Sequence, residues 1–283
     1  MRPSAPSPSE MERGRGGEAT PSRGGVARAL RDHWPTPVAL ILVAVVWEAW
    51  VRWTHTPAYL VPAPSAILGR AVGGWQYFLG EATVTLAEAF AGLLVASAGA
   101  LSAALVMAHA RWAERAFFPL AVVVKVTPIV AIAPLLIVWL GFGPAPKIAV
   151  AALISFFPIL SNAVTGFRSV NPRALEFFHS LHASRREILL ELRLPHALPY
   201  LFSAYKVAMT LSVIGAVVAE WFGADHGLGH VIILANANFD MTTLAAAVLA
   251  LAIIGISLYA ITDALERRCL FWHESNLSTQ VDR

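Results

Sequence analysis

The chain has 283 residues, 57% of them hydrophobic and 14% charged, with a formal net charge of +3. A soluble domain carries about 25% charged residues, so an ordinary water-solvated domain is excluded. The small net charge gives no footprint for nucleic acid, and the single cysteine, Cys269, excludes an internal disulfide framework.

In chain order, residues 1–32 come first, rich in Pro, Gly, Ser and Arg ("MRPSAPSPSEMERGRGGEATPSRGG"). They cannot bury a core and are expected to form a disordered tail. The apolar run "VALILVAVVWEAWV" follows. It comes late and has no small-residue cleavage site after it, so it reads as a membrane span and not as a signal peptide. Five further apolar windows approach the ~20 residues needed to cross a bilayer core. The expected spans are 35–53, 83–108, 117–140, 147–167, 198–220 and 243–263. The expected fold is an all-α integral membrane protein of six transmembrane helices. Its parts are a tail (1–32), a first helix with an outer segment (33–80), a five-helix core (81–268) and a second tail (269–283).

The placement of charge orients these spans. Sixteen of the 21 Lys and Arg fall in the N-terminal tail, the loops after spans 2 and 4, and the C-terminal tail; three fall in the alternate loops. Positive residues collect on the cytoplasmic side, so both termini are expected there. Lys125 and Lys206 lie within spans, where an ionisable residue faces a cavity or a partner; the alternative for both is to snorkel to the cytoplasmic headgroups, which for Lys206, near the start of span 5, is the better reading. Pro119, Pro128 and Pro134 are expected to interrupt span 3. Broken helices line many transport sites. Small residues in "AGLLVASAGALSAAL" (91–105) allow helices to approach closely. Glu48 and Glu88 are candidates for polar contacts between helices, and Glu220 for a structural or a substrate-facing role. The histidines of "DHGLGH" (225–230) are separated by Gly-Leu-Gly, which suits a turn better than a metal site.

One polar stretch interrupts the apolar chain on the cytoplasmic side: "EFFHSLHASRREILLELRLPHALP", from Glu176 to Pro199. Asn171-Pro172 is a strong helix start. Ala174, Leu175, Phe177, Phe178 and Leu181 then recur at helical spacing. Ser184 with Glu187 forms a capping box that opens a second helix, which Pro195 and Pro199 are expected to end. The predicted result is a helix, a turn at Leu181–Ala183 and a second helix. It serves either as an interfacial pair lying on lipid or as a docking hairpin for a cytoplasmic protein.

Glu176 and Leu194-Pro195 stand at the spacing of the Glu-Ala-Ala, three residues, Gly, nine residues, Ile, one residue, Leu-Pro motif. This stretch therefore resembles the cytoplasmic loop of inner-membrane permeases of binding-protein-dependent ABC importers. Leu192 replaces the Ile, Phe177 and Phe178 the alanines, and His182 the glycine. "VPAPSAIL" (61–68), "TPIVAIAPLLIVWLGFGPAPKI" (127–148), "FFPILSNAVTGFRSV" (156–170) and "GAVVAEWFGADHGLGHVI" (215–232) resemble the nitrate/sulfonate/taurine-type branch. "AEWFGADHGLGHVIILANANFD" (219–240) most resembles branch members that carry thiamine-precursor pyrimidines. The resemblance spans about residues 60–272.

The resemblance implies that the hairpin is a coupling helix seated on an ATPase, with Glu176, Phe177, Phe178, Leu181, His182, Ala183, Ser184 and Arg185 at the contact. Within the matching stretches Thr127, Pro128 and Asn162 join Lys125, Lys206 and Glu220 as candidate pathway residues. The implied partners are an ATP-binding subunit, a periplasmic or lipid-anchored solute-binding protein, a second copy of this chain, and membrane lipid. The implied location is a bacterial inner membrane. No phosphate-binding G-x-x-x-x-G-K-[ST] occurs, so ATP is expected at the partner and no cofactor, metal or catalytic residue on this chain. The competing reading is an intramembrane hydrolase, for which Ser155, Ser161 and Ser257 would need a base.

Overall fold

The computed structural model describes residues 35–270, all of its regular structure helical. Both expected tails, 1–32 and nearly all of 269–283, lie outside the described residues. The chain divides into two compact units, Met1–Val46 and Trp47–Asp282. In the first, the described residues form the apolar start of helix α1 (Pro35–Trp53).

The second unit continues through α2 (Pro64–Gly73), α3 (Trp75–His109), α4 (Arg111–Val126), α5 (Ile129–Leu140), α6 (Pro144–Arg168), α7 (Pro172–Ser180), α8 (Arg185–Glu220), α9 (Leu228–Ala237) and α10 (Met241–Cys269). Among the described residues, α3, α6, α8 and α10 are long and apolar enough to cross a membrane. The pair α4 and α5, bent by 99° at its junction, makes a fifth if it is one broken span.

The core is three helices, α3, α6 and α8, packed through small residues. Ala96, Ala100 and Ala104 of α3 meet Ile159, Leu160 and Ala163 of α6 and Ala197, Leu201 and Ala208 of α8. The backbones come close because nothing larger than a methyl intervenes. A Cβ on Gly92 would lie 2.5 Å from the Cβ of Ala151, and one on Gly215 would lie 2.8 Å from the Ala151 Cα. Ala151, fully buried, is thus clasped between α3 and α8. In lipid no hydrophobic force draws helices together, so this contact density is what holds them.

A second cluster joins α2, α3, α9 and α10 through Ile67, Phe78, Ala82, Leu228, Val231, Ala246 and Ala247. Polar groups fix its edges. Glu48 accepts from the backbone N–H (3.0 Å) and hydroxyl (2.8 Å) of Ser65 in the first turn of α2. Asp240 caps α10, its carboxylate accepting from the Thr243 hydroxyl (2.6 Å) and backbone N–H (3.0 Å). Those two bonds hold its carboxyl below the usual carboxylate range.

Two expectations about proline need correction. Only Pro128 breaks the third span; Pro119 and Pro134 sit inside α4 and α5. At the break, Thr127 turns back on α4, its hydroxyl donating to the Val123 carbonyl at 2.8 Å. Nor do Pro195 and Pro199 end the second helix of the hairpin. α8 runs unbroken from Arg185 to Glu220 and accommodates Pro195 just past a widened π segment, Ile188–Arg193. A π turn shifts the hydrogen-bond ladder by one residue, which gives the chain a place to absorb a missing donor.

Candidate functional site

Two regions concentrate the functional candidates. The first is the hairpin of α7 and the start of α8. Asn171 accepts from the Arg173 N–H at 2.9 Å with Pro172 in the first turn, as its dipeptide predicts. α7 ends in a Schellman closure: the Ala183 N–H reaches the Phe178 carbonyl (3.1 Å) and the His182 N–H reaches the His179 carbonyl (3.0 Å). That motif requires a left-handed residue after the cap, and His182 supplies it at φ +56°. This is the position where the family motif carries glycine. The capping box then forms in full, Ser184 N–H to Glu187 Oε2 at 2.6 Å and Glu187 N–H to Ser184 Oγ at 3.3 Å.

The hairpin presents an apolar tip to its surroundings. Phe177 is 60% and Leu181 63% exposed, while Phe178 is half-buried and meets Phe177 edge-on at 6.4 Å. Glu176, His182, Ser184 and Arg185 are exposed and Ala183 half-buried. His182→Gly is therefore expected to leave stability unchanged or raise it by up to ~1 kcal/mol, because glycine adopts positive φ without strain. His182→Val is expected to lower the melting temperature. Thermal unfolding of the three proteins in one detergent checks this; a lower melting temperature for the glycine variant would contradict it.

Sequence reasoning missed how the hairpin is rooted. Arg168, at its entry, pairs with Glu114 and donates to the Met107 carbonyl at 2.7 Å. Arg193, at its exit, donates to the Ala108 carbonyl at 3.4 Å. Both arginines thus satisfy carbonyls in the last turn of α3, where a helix leaves acceptors unpaired and favours cations. The contacts are 61 and 85 residues apart in the chain. They bind both strands of the hairpin to the α3–α4 corner.

The second region is a cavity of about 390 Å³ between α4, α5, α6 and α8. It brings together three of the pathway candidates, Lys125, Thr127 and Asn162, with Ser161 and Phe157 beside them. Pro128, the fourth, caps α5 at the break that borders the cavity. Lys125 Nζ stands 4.5 Å from the centre of the Phe157 ring. Asn162 donates to the Pro158 carbonyl at 2.9 Å.

Lys206 and Glu220 stand elsewhere. Lys206 is held by two carboxylates of α10, Asp263 at 2.6 Å and Glu266, so it ties α8 to α10 where snorkelling was an alternative. Glu220 is 1% exposed. Its carboxylate accepts from the Thr85 hydroxyl at 2.7 Å and the Gly229 N–H at 2.5 Å. Thr85 in turn accepts from the Leu228 N–H at 2.8 Å, and Glu81 Oε2 accepts from the Gly227 N–H at 2.6 Å. Three successive N–H donors at the start of α9 are thus met by side chains from α3 and α8. The "DHGLGH" stretch is the turn into α9, with Gly227 at φ +110°. Close by in the chain's interior, Lys147 pairs with Glu88 at 2.9 Å, both buried.

Among the serines weighed for hydrolysis, Ser155 donates to the Ala208 carbonyl (3.2 Å) and Ser257 to the Ile253 carbonyl (2.7 Å). Neither hydroxyl is bonded to a base among the described residues.

Comparison with known proteins agrees with this architecture. Residues 96–270 match the family described as binding-protein-dependent transport system inner membrane component. The chain is 37% identical over 254 residues to the riboflavin transport system permease protein RibX of Chloroflexus aurantiacus, covering 87% of this chain and 93% of that one. It is 33% identical over 241 residues to the formylaminopyrimidine transport permease protein ThiX of Halalkalibacterium halodurans, covering 85% and 96%. A chain from the inward-facing MetNI methionine ABC transporter shares the fold, with a TM-score of 0.61 at 18% identity over 69% of this chain and 96% of that one.

Proposed function

Since the chain belongs to the family of binding-protein-dependent transport system inner membrane components, we propose that it forms the translocation pathway of an ABC importer for a small organic nutrient and couples it to a separate ATPase. Its relatives are transport permeases, and its apolar helices make it a multi-pass membrane protein. In this reading α1 joins the spans counted above to make six, residues 81–268 form the permease core, and both termini face the cytoplasm. Two copies enclose one pathway, with ATPase subunits on the cytoplasmic side and a solute-binding protein on the other. ATP is handled by the partner.

The observation that carries the reading is the hairpin. Glu176 and Leu194-Pro195 keep the family spacing, and between them lies a capped, rooted helix with Phe177 and Leu181 bare to solvent. An exposed aromatic-aliphatic pair on an otherwise polar segment suits a protein cleft. The names of the relatives, riboflavin and formylaminopyrimidine carriers, favour a heterocyclic nutrient over a sulfonate.

The test is purification from native membranes in mild detergent. An ATPase subunit is expected to copurify, and ATP hydrolysis is expected to follow that subunit when the two are separated. Hydrolysis that stays with this chain alone would overturn the division of labour.

A further inference from the structure

The cavity beside the break in the third span carries a charge that no carboxylate among the described residues balances. Lys125 forms no ion pair among the described residues, and no Asp or Glu lines the cavity. Among the described residues its ammonium meets the face of Phe157, 4.5 Å away. Lys125 is exposed to the cavity opening, whereas Lys147 and Lys206 in this same chain are covered and paired with carboxylates. A ring face partly compensates an ammonium through its quadrupole and occupies one side of it, leaving N–H donors for another partner.

The surroundings strengthen the field. α5 begins at Ile129, itself in the cavity wall, and a helix start carries partial positive charge. The Ser161 hydroxyl and the Asn162 side-chain oxygen, both in the wall, have no hydrogen-bond partner among the described residues. The volume, about 390 Å³, lies in the range of small-molecule sites.

We propose that Lys125 is the specificity-determining residue of this cavity, binding a small organic solute through a hydrogen-bond-acceptor edge, either an anionic group or the carbonyl edge of a planar heterocycle. This rests on the reading of the chain as a permease. Ser161 and Asn162 complete the recognition by offering one hydroxyl and one acceptor. Solutes whose only polar groups are ammoniums are rejected, because the cavity supplies a like charge and no carboxylate.

The test uses the permease–ATPase complex in nanodiscs and equilibrium dialysis with three probes: riboflavin (neutral carbonyl edge), orotate (anionic pyrimidine) and putrescine (ammonium only). Riboflavin, orotate or both are expected to bind the wild type, and putrescine is not. Lys125→Met is expected to weaken binding roughly ten-fold or more, the scale of a lost charge-assisted hydrogen bond. Lys125→Arg is expected to bind more tightly than Lys125→Met, since the positive charge and donors remain in a different geometry. Loss of orotate alone assigns the edge to an anionic group; loss of riboflavin assigns it to a carbonyl edge. Equal binding by wild type and Lys125→Met, binding of putrescine, or no binding of any probe by the intact complex would each overturn the proposal. ATPase recovery and melting temperature, measured on the same samples, separate the two readings. A wild-type chain that recovers no ATPase refutes the importer assignment, whereas an intact complex indifferent to Lys125 refutes only the role of this lysine.

Discussion

Phe177→Ala combined with Leu181→Ala is expected to detach the ATPase and abolish uptake while leaving the spans folded. Phe177 on α7 and Leu181, its C-cap, stand four residues apart and are both more than half exposed. Buried aromatic and aliphatic anchors dominate interfaces, and truncating one costs on the order of 2 kcal/mol or more. Losing both is expected to lower affinity by a factor of several hundred or more. The permease itself loses little, because neither side chain belongs to its core. The caps that hold the hairpin, the Asn171 and Ser184 side chains and the left-handed His182, are untouched by the change. The measurement is ATPase recovered per permease at equal membrane expression, with the melting temperature of the purified permease as control. Equal recovery and unchanged uptake would return the hairpin to a helix pair lying on lipid.

Under the proposed function the roots of the hairpin offer a route for force. Arg168 and Arg193 hold its entry and exit to the last carbonyls of α3. The second arm passes without a break into α8, one of the three core helices. Under the proposed function a displacement at the tip is expected to reach α3 and α8 together, and α8 also forms part of the cavity wall through Val207 and Leu211. The π segment Ile188–Arg193 lies between tip and core, and such π turns are frequent at functional sites.

What the sequence disclosed and what it withheld divide along the range of the interactions. The hairpin was legible because its chemistry is local: Asn171-Pro172 and Ser184 with Glu187 each close bonds within three residues. The tight core was legible in the run of small residues at 91–105. The proline breaks were not, since Pro119, Pro128 and Pro134 all lack an N–H and all restrict the residue before them. Which one breaks a helix depends on packing far along the chain. The partners of Lys206 and Glu220 were hidden for the same reason. Both look like polar residues adrift in a span until α10 brings Asp263 and Glu266 to the lysine, and α9 brings the Gly229 N–H to the glutamate.

That buried clasp on α9 sets up the second large effect: Gly229→Ala is expected to destabilise the protein by about 2–3 kcal/mol, the scale of an overpacked core. A Cβ at this position would stand 2.5 Å from the Val217 carbonyl oxygen and 2.7 Å from Glu220 Oε2. Neither atom is free to retreat. The carbonyl belongs to the backbone of α8, and Glu220 is 1% exposed and fastened by Thr85. Moving the carboxylate aside would also leave the Gly229 N–H buried without its acceptor, and an unmet buried donor costs about 1–3 kcal/mol more. Glycine is thus required here for the space a carboxylate takes up against the backbone, since its helical conformation is open to any residue. Gly80→Ala and Gly255→Ala are the controls. Both lie in long helices with nothing within 4 Å of an added Cβ, and alanine there is expected to be neutral or to add ~0.5–1 kcal/mol through helix propensity. Thermal unfolding in one detergent is expected to rank Gly229→Ala well below wild type and the two controls at or above it. A Gly229→Ala protein that melts with the controls would mean that α9 can slide off the carboxylate, and that the clasp is a loose contact and not a fixed joint.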